Sequence, residues 1–195
     1  MKNNSLLRNL CLGAALLCSN CTQPASKPVA SPALTPPDAK NIQADLNVLP
    51  TDELKAKIYA EGFQVYKRDS VTQTWKPDRP EAVLFDDKHN IIGRHYKSSG
   101  PTWESADGSI VVANGDKATI KFDTTHAGNI PWLLLVTKET KGNPAGIFSQ
   151  VSKIQRLYTE GGKQPAGTIP PSNTNTALYV AYKATYYFYS SAVTK

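Results

Sequence analysis

Arg94 to Val112 reads RHYKSSGPTWESADGSIVV, and its punctuation decides the fold. His95 ends one extended segment and Gly100-Pro101 turns the chain. Trp103-Glu104 begins a second segment, and Asp107-Gly108 turns it again into the apolar run Ser109 to Ala113. Glycine supplies positive φ and proline fixes φ near the value of a turn, so a strand, a corner, a strand and a tight turn follow from residue type alone.

The same punctuation extends in both directions. Strand-like runs fall at Leu54 to Glu61, Phe63 to Tyr66, Thr74 to Lys76, Ala82 to Phe85, Ile91 to Tyr96, Ser109 to Ala113 and Ala118 to Phe122. Others follow at Trp132 to Lys138, Val151 to Tyr158, Leu178 to Lys183 and Thr185 to Tyr189. Between them lie Asp86 to Asn90, Asn114 to Asp116, Lys141 to Pro144 and Gly161-Gly162. Short strands with tight Gly, Asn, Asp and Pro turns, and no sustained helical period, indicate an all-β fold: an antiparallel β-sandwich or a barrel-like single domain. Thr51 to Glu53 is the one place where a helix cap competes with a strand start. Ile130 to Val136 is nearly continuous in apolar residues, as in a strand covered on both faces. Tyr179 to Tyr189 holds five of the nine tyrosines, read as braces of a sheet. The chain contains no internal repeat.

The first twenty-one residues have a different character. Lys2 and Arg8 precede an apolar run from Leu10 to Cys18, nine residues long and too short for a membrane span of about 20 residues. Residues 1–21 therefore read as an export signal, and Cys21 stands where a bacterial lipoprotein signal places its acylated cysteine. Asn20 departs from the small residue usual before that cysteine, and simple cleavage nearby is the alternative. Residues 22–46, with five prolines between Pro24 and Pro37, read as a spacer, and residues 47–195 as the β domain. Cys11, Cys18 and Cys21 are the only cysteines, so the folded body has no disulfide framework and no thiolate zinc site.

Of the formal charge of +6, Lys2 and Arg8 contribute two, and the remaining basic residues alternate with acids from Lys27 to Lys195. A nucleic-acid binder gathers its cations into a patch, so no nucleic-acid partner is expected.

Local chemistry centres on His95, Glu104 and Asp107. A hairpin over Gly100-Pro101 places His95 near Glu104, a spacing that suits an oriented general base or two metal ligands; a structural hydrogen bond is the competing reading. Asp107 equally suits plain turn chemistry. The serines Ser98 and Ser99 lack a Gly-x-Ser-x-Gly elbow, and Asp86, Asp87 and Asn90 lack calcium-loop spacing. Trp103 and Trp132, with His95 and Glu104 beside the first, are candidates for stacking on a ligand; the competing reading makes both tryptophans core anchors.

Five motifs in order carry a resemblance. They are Gly62-Phe-Gln-Val-Tyr66; Gly93 to Glu104 with Asp107-Gly-Ser109; Ile130 to Leu135; Ile154-Gln-Arg156 with Thr159 to Gly162 and Pro165; and Tyr186 to Tyr189. Over residues 46–190 the chain resembles the DUF3455 family of exported proteins of unknown function. The resemblance implies a secreted or surface domain with no established activity. It also implies cysteines at the positions of Arg68 and about Ile169, both absent here, consistent with a lost disulfide. Some relatives are loosely called malate dehydrogenases, but this chain has no Gly-x-Gly-x-x-Gly turn and an all-strand pattern, so no nucleotide cofactor is implied.

Together these readings describe an exported, lipid-anchored envelope β domain that binds a glycan, small molecule or protein without a cofactor. A secreted enzyme using His95 with Glu104 or Asp107, with or without a metal, is the alternative.

Overall fold

The chain divides into two units, Met1–Pro32 and Ala33–Lys195. The structure is a computed structural model, and it describes residues 34–116, 120–170, 173 and 175–191. The export signal, Cys21 and the first part of the expected spacer, residues 22–33, lie outside the described residues, as does the start of the strand expected at Ala118.

The described residues form nine β-strands: β1 Glu53–Asp69, β2 Thr74–Phe85, β3 Ile91–Lys97, β4 Pro101–Ser105, β5 Ser109–Ala113, β6 Lys121–Asp123, β7 Trp132–Gly142, β8 Lys153–Gly161 and β9 Ala177–Ser190. All pairings are antiparallel, in the order β5-β4-β3-β2-β1-β9-β8-β7-β6. β5 also pairs with β7, from Ser109↔Gly142 to Ala113↔Thr137. That pairing closes the other eight strands into a barrel and leaves β6 on the first residues of β7. Of the two architectures the sequence allows, the barrel is the one formed.

Several expected short strands are halves of long ones. β1 runs unbroken through Gly62, where a Cβ would collide with the Glu81 carbonyl oxygen and lie 2.5 Å from the Ala82 Cα. Glycine there lets two coiled strands approach closely rather than ending the strand. β2 likewise runs through Pro77 and Pro80. Pairing with β3 begins only at Ala82, so both prolines sit where β2 has no β3 partner. The register jumps from Val65↔Arg79 to Tyr66↔Pro77, which makes Asp78 the extra residue of a bulge. Thr51 and Asp52 end a turn that leads into β1 at Glu53, and no helix starts there.

Alternation along the strands sorts residues between two layers. Inside, Ile58, Leu84, Trp103, Val111, Leu133, Leu135, Ile154, Tyr186 and Phe188 form the main core. One end of the barrel is plugged by Phe148, which is fully buried with its ring 4.7 Å from Phe188. Asp107 and Ser109 dock the loop that carries it: Ile147 N donates to Asp107 Oδ2 at 2.8 Å and Phe148 N donates to Ser109 Oγ at 3.1 Å.

Outside, Trp132, Leu157, Tyr187 and Tyr189 form a second layer beneath Ile42 and Leu46. These last two come from 3-10 turns at Ala39–Asn41 and Ala44–Leu46, so the final part of the expected spacer packs on the barrel. Two apolar side chains in an otherwise polar stretch suffice to seat it, and Gln155 Nε2 holds the Leu46 carbonyl at 2.6 Å.

Arg68 and Ile169, the positions that the resemblance links, lie in one region without a disulfide. Ile169 packs with Tyr66 and Trp75, and its N–H donates to Gln73 O at 2.6 Å, while Arg68 donates to Asn173 O.

The plug makes a direct prediction. Phe148→Ala loses about 3–5 kcal/mol of stability and Phe148→Leu clearly less, measured by urea unfolding; equal losses would show that filling the barrel end is not what Phe148 contributes.

Candidate functional site

Above the main core, at the end opposite Phe148, the barrel opens into a cavity of about 530 Å³. A volume of this order holds one small organic molecule. Its aromatic part comes from three strands. His95 of β3 and Trp103 of β4 are direct cross-strand partners and stack with ring centroids 4.2 Å apart at 7°. Tyr186 of β9 meets both edge-on, at 5.4 and 5.2 Å. Leu133, Leu135 and Ile120 supply apolar wall, and Arg156 of β8 projects among them. The rim carries Asp78, Arg79, Lys97, Lys138 and Asp116.

The polar atoms in this interior are poorly matched to one another. His95 Nδ1 lies 2.8 Å from the Thr102 carbonyl oxygen. A carbonyl only accepts, so Nδ1 carries the proton and Nε2 is left as an acceptor. Burial depresses the imidazole from 6.5 to about 3; the Thr102 bond opposes that shift and the Arg156 charge adds to it. The ring is thus neutral at physiological pH. Among the described residues Trp103 Nε1 is buried without a hydrogen-bond partner, and the Tyr182 and Tyr186 hydroxyls are buried against each other with no third partner. Burial pushes the Tyr182 hydroxyl well above its ordinary range, and the neighbouring Tyr186 hydroxyl adds to this. Arg156 donates from Nε and Nη2 to Pro131 O, at 3.2 and 2.9 Å, and forms no ion pair among the described residues.

The candidate residues separate accordingly. His95 and Trp103 share the cavity, but Glu104 does not. The hairpin pairs Lys97 with Pro101, which sets Arg94 opposite Glu104 and His95 opposite Trp103. Glu104 therefore lies on the outer face, where Arg94 Nη2 at 2.8 Å and Tyr96 OH at 2.9 Å donate to it and hold its carboxyl below the ordinary range. The expected His95–Glu104 pair is not formed, because one residue of register moves a side chain to the other face. Asp107 is at the plugged end, accepting from Ser109 N, Ser109 Oγ and Ile147 N. Its role is turn chemistry and loop docking. Trp132 belongs to the outer layer, stacked on His126 at 3.9 Å. Among the described residues no three His, Cys, Asp or Glu side chains gather around a possible metal position.

Sequence reasoning missed Arg156 and Tyr186 as site residues. Arg156 had a signal: it lies two positions from Ile154 and so shares the inner face of β8 with a fully buried aliphatic residue. Tyr186 had none, because it and Tyr187 are alike in sequence and differ only in the side of the wall they occupy.

Fold and site define an antiparallel β-barrel plugged at one end, with an aromatic, partly cationic cavity at the other. The family model described as a protein of unknown function, DUF3455, matches residues 50–190, and the chain belongs to that family. Comparison with curated proteins and with solved structures finds no match.

The depressed imidazole fixes a pH dependence. Between pH 6.5 and about 3 the unfolded chain protonates His95 while the folded chain does not, so stability falls as pH drops through this interval. Carboxylates add their own dependence at lower pH, so the test is the range from 6.5 to about 5. Urea unfolding of wild type there should show a steeper loss than His95→Gln, and parallel profiles would contradict a buried neutral imidazole.

Proposed function

We propose that this domain is a binding protein that holds a small ligand in its barrel cavity and works outside the cytoplasm. The observation that carries the ligand reading is the cavity itself: a space of about 530 Å³ at one end of the barrel, with half-buried Ile120 and Arg156 on its wall beside the buried His95–Trp103 stack. A space of this size with apolar and polar wall positions fits a ligand with an apolar body and a polar edge. The barrel provides rigid walls, so the groups are placed before the ligand arrives.

Support for the location is the pattern of residues 1–21, a basic start and a short apolar run followed by Cys21. An acyl group on Cys21 would anchor the barrel through the intervening proline-rich segment.

Both parts have direct tests. In an NMR screen of aromatic fragments, binders should shift His95, Trp103, Leu135 and Tyr186 together. The variant Ile120→Trp, which adds bulk at a half-buried wall position, should weaken every such binder at least several-fold. Shifts that persist unchanged in that variant, or no binder in a broad set, would remove the ligand reading. For the anchor, radioactive fatty acid should enter wild type expressed in a bacterium and not Cys21→Ala; label retained by the variant refutes acylation at this residue.

A further inference from the structure

We infer that the ligand of this cavity is a small organic anion, with its acidic group on Arg156 and its apolar body beside Ile120. This deepens the reading above and rests on it.

Charge is the first ground. Arg156 lines the cavity with two of its nitrogens committed to one neutral acceptor, Pro131 O, and pairs with no carboxylate among the described residues. Nη1, and with it an edge of the guanidinium fork, has no protein partner among the described residues. Buried or half-buried cations are ordinarily paired, and a fork of this shape matches a carboxylate.

The second ground is what other ligand classes would meet. A neutral hydrocarbon would leave Arg156 Nη1 without a partner, and an organic cation would meet Arg156 as a like charge.

Third, the rim repeats the preference. Lys97, Lys138 and Arg79 stand at the mouth against Asp116 and Asp78, and Asp78 is already committed to Arg79 at 2.5 Å. Among the described residues Lys97 reaches only a backbone carbonyl, that of Asp78, at 3.1 Å. Such an entrance draws anions inward.

The test is calorimetric titration of the purified chain with naphthoate and with its uncharged counterpart naphthamide. Naphthoate should bind about tenfold or more tightly than naphthamide, the worth of one charge-assisted hydrogen bond, and its advantage should shrink as salt rises. Arg156→Gln should bring the two probes to parity. Where that variant fails to fold for want of its Pro131 contact, the double variant Lys97→Gln with Lys138→Gln, at exposed or half-buried rim positions, should still reduce the naphthoate advantage several-fold. Equal binding of both probes by wild type, or an undiminished preference in folded Arg156→Gln, overturns the anion inference and leaves the ligand reading standing. Binding of neither probe, with no fragment shifting His95 or Trp103, overturns both.

Discussion

When β5 pairs with β7 from Ser109↔Gly142 to Ala113↔Thr137, a meandering sheet loses two free ends and gains an inside. Every later feature depends on that closure. It gives the inward residues of β1, β3, β4, β8 and β9 a common axis, and it turns alternation along separate strands into one core. The same corner of the chain finishes the job at one end: Ser109, the first residue of the closing strand, also accepts the Phe148 N–H and seats the plug. Ring closure and end closure are therefore one local arrangement, and the cavity exists because the opposite end has no such plug.

The cavity and the core are continuous through Trp103. Its ring stacks on His95 on one side and meets Phe188 edge-on at 5.8 Å on the other, and Phe188 touches Phe148 in turn. The site thus stands on a column of aromatic rings that reaches the far end. A side chain in such a position cannot be assigned to binding or to stability alone, and the rigidity of the column keeps the imidazole and indole parallel without a ligand.

Local chemistry in the sequence reports what lies within a hairpin and little of what lies across the barrel. The turns at Asp86 to Asn90 and Asp107-Gly108 are legible because Asp, Asn and Gly act on their own backbone; Asp86 Oδ1, for example, accepts from Lys88 N and Asn90 N. The merger of two strands at Gly62 is not legible, since whether glycine breaks or bends a strand depends on Ala82 of the neighbouring strand. His95 and Glu104 show the limit most clearly. Their residue types and spacing suit chemistry, but a turn that pairs Lys97 with Pro101 sends them to opposite faces, and residue type alone does not set that register. Arg156 shows the reverse case: an inner-face arginine was visible from spacing, but its importance depends on walls contributed by strands remote in sequence.

The two prolines of β2 bear on how the molecule behaves in a crowd. Before Ala82 this strand runs past the reach of β3 and would offer its backbone to any passing extended chain. Pro77 and Pro80 have no N–H to offer, and the bulge at Asp78 breaks the regular spacing between them. A second extended chain therefore finds no continuous ladder to extend along this part of β2.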